Sequence, residues 1–189
     1  MSSGSSTPDL GAARARAVRV VIFDVDGVLT DAGVYTGVDA DGHPVELKRF
    51  DIQDGLGIKL LQRAGIEVAF VSGRPSEATR LRAEELGVRE CHQDADARKV
   101  PLVEAILARA GATWEQTAML ADDLPDLAVF RRVGLRAAVA NAQPEILALA
   151  EWRGTARGGS GAAREFCRAL LLARGEWDRL VAEYERERS

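Results

Sequence analysis

Apolar runs and helix-spaced apolar positions alternate along most of this chain. Residues 18–24 include Val18, Val20, Val21, Ile22 and Phe23, a β-branched and nearly continuous apolar stretch that predicts a strand buried on both faces and stopped by Gly27. Residues 67–71, 117–121 and 136–140 are further apolar runs that read as strands, and 88–92 reads as a short strand. Between them, helical spacing predicts helices over 76–86, 100–110, 124–133 and 144–150. Gly87 and Gly111 stand where two of these should stop, and Pro101 falls in a first turn. Leu56, Ile58, Leu60, Leu61 and Ala64 predict a further helix after an Asp54-Gly55 turn, ended by Gly65. Strands and helices joined by short connections predict an α/β fold with a doubly wound parallel sheet, its site at the C-terminal ends of the strands.

Residues 33–50 break that rhythm. Val34-Tyr35-Thr36, a turn at Asp41-Gly42, and Val45-Glu46-Leu47-Lys48 read as a β-hairpin projecting after the first strand, each arm with one apolar face. Gly158-Gly159-Ser160-Gly161 reads as a flexible link before a helix over 162–173, and 177–187 as a last helix. The N-terminus is small and polar, then rich in Ala and Arg, without the apolar run of a signal peptide. This divides the chain into a disordered tail at 1–17, one folded domain at 18–175 and a helical tail at 176–189.

Composition narrows the classes. With 189 residues, 47% hydrophobic and 29% charged, the chain suits one globular domain. A net charge of −4 gives no basic field for nucleic acid or anionic lipid, so any anion site must be local. No window reaches the roughly 18 apolar residues of a membrane span. Cys91 and Cys167 lack C-x-x-C spacing, which points to reduced thiols and a cytoplasmic setting rather than to a disulfide or zinc framework. Cys91 and His92, adjacent on a strand, face opposite ways and make a poor metal pair. Trp114, Trp152 and Trp177 read as core or interface residues.

The chemistry begins at the end of the first strand. Asp24-Val25-Asp26-Gly27 carries two carboxylates out of a buried strand into a glycine turn, where they repel unless a cation lies between them; Mg²⁺, a hard ion, suits such oxygen ligands. The run 68–71 ends in Ser72-Gly73-Arg74, a hydroxyl and backbone amides suited to phosphate oxygens. Lys99 opens a helix. Met119-Leu120-Ala121 delivers Asp122 and Asp123, with Asp126 one helical turn on.

Asp24-Val25-Asp26-Gly27-Val28, Ser72-Gly73-Arg74, Lys99 and Asp122-Asp123 with Asp126, in that order, resemble the haloacid dehalogenase superfamily of aspartyl-phosphate phosphatases, which have a Rossmann-like fold. Asp24 to Asp31, Leu47-Lys48-Arg49-Phe50, Asp54-Gly55-Leu56-Gly57-Ile58 and the segment from Gly158 to Glu165 are similar to its capless branch, typified by 3-deoxy-D-manno-octulosonate 8-phosphate phosphatase. The likeness spans about residues 18–175. It implies Asp24 as nucleophile and Asp26 as acid/base. Mg²⁺ would be held by Asp24, Asp122 and the Asp26 carbonyl, with Asp123 and Asp126 in support. Ser72, Gly73 and Lys99 would bind the phosphoryl group. Arg74 would meet a sugar acid's carboxylate, although a surface ion pair suits it equally, and Asp54, Lys48 and Asn141 fit a turn or hairpin surface as readily as a substrate contact. Asp122 and Asp123 also suit the cap of the helix that follows.

The implied reaction is Mg²⁺-dependent hydrolysis of an α-keto sugar acid phosphate, octulosonate 8-phosphate first and a nonulosonate 9-phosphate second. The implied assembly is a homotetramer in which neighbours' hairpins roof each site. Three residues depart from the family's usual pattern: Ala121 and Ala32 stand where glycine is frequent, and Ser160 stands in a variable place of the glycine segment. A receiver-like phosphorylation switch uses similar residues. It takes its phosphoryl group on a mid-chain strand, however, and here that strand ends in Ser72-Gly73-Arg74 with no acceptor carboxylate.

Overall fold

The structure, a computed structural model, describes residues 10–189. Six parallel strands form the sheet: β1 (Val20–Phe23), β4 (Glu67–Ser72), β5 (Glu90–Gln93), β6 (Thr117–Ala121), β7 (Leu135–Ala138) and β8 (Trp152–Arg153). Their spatial order is β5-β4-β1-β6-β7-β8, so the chain first builds outward on one side of β1 and then returns to build on the other. That reversal opens a crevice beyond the C-terminal end of β1, where open α/β sheets carry their ligands. Both neighbours hold β1 in register, with Phe23 opposite Phe70 on β4 and Leu120 on β6.

The core forms where the sheet's apolar runs meet the helices. Phe23 packs edge-on to Phe70 and Phe166, with ring centroids 6.4 Å apart in each case, and Trp152 lies 5.3 Å from Phe166. Phe166 belongs to α7 (Ala162–Arg174), which packs along α2 (Ile52–Arg63). Truncating Phe166 to alanine would cost about 3–5 kcal/mol on the usual scale for a buried aromatic.

α3 (Glu77–Leu86) and α4 (Lys99–Ala110) end, as expected, at Gly87 and Gly111 in the left-handed conformation. α6 covers Pro144–Leu149. The hairpin is present as β2 (Tyr35–Val38) paired antiparallel with β3 (Pro44–Leu47), apart from the main sheet.

Several local expectations give way. Residues 1–9 lie outside the described residues, but 12–17 form helix α1 (Ala12–Ala17) rather than a disordered tail. Ala15 and Leu10 are buried, and Arg174 Nη1 donates to the carbonyls of Ala15 and Val18, satisfying the end of that short helix. α2 begins earlier than expected because the Asp51 carboxylate accepts from the Gln53 N–H at 2.8 Å, which places Asp54 in its first turn.

The helix expected over 124–133 is only a 3-10 turn at Leu124–Asp126 and α5 (Leu127–Phe130). The chain must turn by Gly134, whose N–H donates to the Trp114 carbonyl. α8 (Trp177–Arg186) docks through the fully buried Leu180. Gly158 and Gly159 are buried, so the expected flexible link is packed. Among the described residues, no helix is long and apolar enough to cross a membrane.

Candidate active site

β1 delivers Asp24 into the crevice, and the following loop is wound tightly. Gly27 adopts φ 100, the Thr30 hydroxyl accepts from the Gly27 N–H, and the amides of Leu29 and Thr30 both donate to the Val25 carbonyl. Glycine is required at 27, since a β-carbon there would lie 2.0 Å from Asp122 Oδ2. β6 brings Asp122 to this point. The first residue of α4 is Lys99, only 3% exposed, whose Nζ donates to Asp24 Oδ1 at 2.5 Å and to Asp126 Oδ1 at 2.6 Å.

Carboxylate oxygens of Asp24, Asp122 and Asp126 all lie within 4.8 Å of one another. Burial pushes the Asp122 and Asp126 carboxyls well above the usual carboxylate range, the charge of Asp24 adds to both shifts, and Lys99 opposes them. Burial also works against the Lys99 ammonium, but Asp24 and Asp126 outweigh it and hold that group above the ordinary lysine range. One buried ammonium thus faces three acids. Asp122 Oδ1 is buried and has no hydrogen-bond partner, and an orphaned acceptor among crowded carboxylates fits a hard divalent cation. Asp39, Asp41 and His43 also cluster, in the exposed hairpin turn, where the amides of Asp41 and His43 already bond to the Asp39 carboxylate.

Asp26 stands on the other side of Asp24. Its Oδ1 lies 2.7 Å from Lys48 Nζ, a side chain 1% exposed, and its Oδ2 accepts from the Ser72 hydroxyl at 3.2 Å. The Arg74 N–H donates to Ser72 Oγ, and the Arg74 guanidinium pairs with Glu46 Oε2 at 2.7 Å. β3 therefore clips its own chain's site through Glu46 and, just beyond the strand, Lys48. A cavity of about 200 Å³ opens among Asp24, Asp26, Gly73, Arg74, Lys99 and Asp122. Asp123 lines it too, while its carboxylate accepts from the Leu124 N–H as a helix cap. Ala121 ends β6 fully buried.

Asp54 is not brought into this cavity. It is 2% exposed, and its Oδ1 accepts from the Arg164 N–H at the start of α7, so the expected substrate contact gives way to a tertiary cap. Burial raises its carboxyl to about 6. Asn141 Oδ1 accepts from the Gly158 N–H. Glu46 was not among the sequence candidates, and a surface-type glutamate on a strand gives no local signal for its role.

No protein-family model matches the chain. It is 37% identical over 166 residues to 3-deoxy-D-manno-octulosonate 8-phosphate phosphatase KdsC of Escherichia coli strain K12, covering 88% of this chain and 86% of that protein. The fold superposes with TM-score 0.82 on the crystal structure of the Yersinia pestis phosphatase of that name, at 37% identity over 90% of this chain and 89% of that one. The Moraxella catarrhalis phosphatase, whose structure contains magnesium, phosphate and a KDO molecule, matches with TM-score 0.83 at 33% identity, over 92% of this chain and 97% of that one.

Proposed function

The chain belongs to the 3-deoxy-D-manno-octulosonate 8-phosphate phosphatase family of the haloacid dehalogenase superfamily and is a phosphoric monoester hydrolase, and on that premise we propose that it removes the phosphate of 3-deoxy-D-manno-octulosonate 8-phosphate through an aspartyl-phosphate. The observation that carries this reading is the meeting of buried Asp24, Asp126 and Lys99 with half-buried Asp122 at the mouth of β1. An M. catarrhalis relative that holds magnesium, phosphate and KDO supports the choice of ion and sugar.

In this mechanism an Asp24 carboxylate oxygen attacks phosphorus, an Asp24–phosphoryl bond forms and the ester P–O bond breaks. Asp26 acts as the general acid that passes a proton to the leaving alkoxide. Asp26 then takes a proton from water, whose oxygen attacks phosphorus, releasing inorganic phosphate and restoring the Asp24 carboxylate. Ser72, the Gly73 amide and Lys99 hold the phosphoryl oxygens. Arg74 and Lys48 meet the substrate's anionic groups, exchanging Glu46 and Asp26 for them. Asp24, Asp122 and the Asp26 carbonyl would hold Mg²⁺, with Asp123 and Asp126 supporting them; the ion supplies charge that offsets repulsion between carboxylate and phosphate.

The hairpin completes the proposal. Val38 and Leu47 stand 71% and 64% exposed on the small sheet, with Val34 59% exposed just before it, and burial against other subunits in a homotetramer would remove that apolar surface from water.

A panel of sugar phosphates assayed with and without Mg²⁺ tests the function. Octulosonate 8-phosphate should exceed glucose 6-phosphate in kcat/KM by orders of magnitude, with chelation abolishing turnover. A flat profile would replace the sugar-acid assignment with a generalist phosphatase, and a better nonulosonate 9-phosphate would change the sugar.

A further inference from the structure

Glycine at 158 and 159 serves contact rather than flexibility. A β-carbon on Gly158 would lie 1.7 Å from the Gly27 carbonyl oxygen, and one on Gly159, at φ 66, would lie 2.3 Å from the Asp31 amide nitrogen. Only backbone without a side chain fits there. The Gly159 N–H also donates to the Val28 carbonyl at 3.0 Å. On its other side the same loop presses on Asp122 through Gly27. Three layers therefore stack: the glycine segment, the loop after β1, and Asp122.

The segment is held from several directions. The Gly158 N–H donates to Asn141 Oδ1 at 2.9 Å, and Arg49 Nη1, from the exit of the hairpin, donates to the Gly159 carbonyl at 2.7 Å. The Glu165 carboxylate accepts from the N–H groups of Thr155 and Ala156, and Asp54 accepts from that of Arg164. Asn141 shares a short loop with Gln143, whose N–H donates to the Asp122 carbonyl at 2.7 Å. One loop thus ties both the glycine segment and Asp122.

We propose that Gly158-Gly159 is a backbone strut that sets the height of the Asp24–Asp31 loop against Asp122 and Lys99, and that Asn141 and Arg49 are positioning residues acting through it. Its effect on turnover rests on the phosphatase reading above; its effect on the loop does not. Loss of the strut lets Asp24 and Asp26 drift relative to Lys99, which lowers kcat more than it raises KM.

The test is amide hydrogen exchange at Gly27 to Thr30 together with steady-state kinetics, on the wild type, Asn141→Leu and Asn141→Asp. Asp retains the acceptor for the Gly158 N–H, whereas Leu removes it. For Asn141→Leu, exchange at 27–30 should quicken about tenfold while β4 and β6 stay protected, and kcat should fall roughly 10–100-fold, the usual cost of a lost supporting partner. KM should move by about twofold at most, on the same reasoning. Asn141→Asp should restore both readouts. Gly158→Ala should exceed Asn141→Leu; if it does not fold, the Asn141 pair decides. Unchanged exchange at 27–30 in Asn141→Leu, or an Asn141→Asp that behaves like Leu, would overturn the strut. A wild type that hydrolyses no phosphate ester would instead overturn the functional reading, and exchange would still judge the strut.

Discussion

The loop after β1 and the hairpin that follows it are neighbours in sequence and opposites in environment. From Asp24 to Thr30, side chains other than Asp26 are buried, and the backbone is bonded to itself, to β6 and to the glycine segment. From Tyr35 to Val38 every residue is exposed, and among the described residues β2 and β3 pair only with each other. Both carry apolar residues, so hydrophobicity does not separate them. What differs is whether this chain alone can supply the covering surface. On the proposed reading, the nucleophile Asp24 needs a fixed geometry, which one subunit supplies, while the hairpin would take its cover from neighbouring subunits.

Chemical substitution of the loop should produce the largest change. Asp24→Asn keeps shape and loses nucleophilicity, so kcat should fall by about 10⁴-fold or more, as for other nucleophiles. Residual activity above about one per cent of wild type would remove Asp24 from that role. Asp26→Asn should slow turnover by about 10²–10⁴-fold, the range for a lost acid/base, while phosphate binding persists by calorimetry.

Substitution of the hairpin should act on assembly instead. Val38→Ser with Leu47→Ser should shift the species seen by light scattering toward the monomer and raise KM, with the circular dichroism of the subunit unchanged. A wild type that is a fully active monomer at micromolar concentration would erase the contrast between the two regions.

Asp54 sharpens the contrast from beneath the site. Its carboxyl is raised to about 6 by burial, so the folded state holds its proton more tightly than the unfolded chain does. Stability should therefore be full below the ordinary carboxylate range near pH 4 and decline as pH rises toward 6, by about 3 kcal/mol at most for two units of pKa. Asp54→Asn keeps the acceptor for the Arg164 N–H and should flatten that decline in denaturant titrations between pH 4 and 6.

The smallest expected effect lies at the junction of loop and hairpin. Ala32 has φ 61, a left-handed conformation that costs a residue with a β-carbon about 1–2 kcal/mol. Ala32→Gly relieves that strain but gives the unfolded chain more freedom, leaving a net gain of about 0.5 kcal/mol, or one to two degrees in Tm. A loss of stability would show that the methyl group packs productively.

Much of this contrast was legible in the sequence. The apolar runs at 18–24 and 117–121 located β1 and β6, and with them Asp24 and Asp122, because a strand buried on both faces has a distinctive continuous pattern. The hairpin was legible from its alternation and the Asp41-Gly42 turn. Contacts between distant segments were not. Lys48 reads as a hairpin-surface lysine until folding buries it against Asp26. Asp54 reads as a turn residue until α7 sets its first amides over it. The two-residue β8 is too short to carry periodicity, and its Trp152 is buried through β7 and Phe166. Glycine at 158 and 159 misled most, since local propensity cannot distinguish a residue that must bend from one that must let another backbone approach.

The stereochemical course at phosphorus tests the mechanism most directly. Hydrolysis of a substrate made chiral at phosphorus with sulfur and oxygen isotopes should proceed with net retention, because attack by Asp24 and then by water inverts the centre twice. Net inversion would mean that water displaces the sugar in one step and that Asp24 never carries the phosphoryl group.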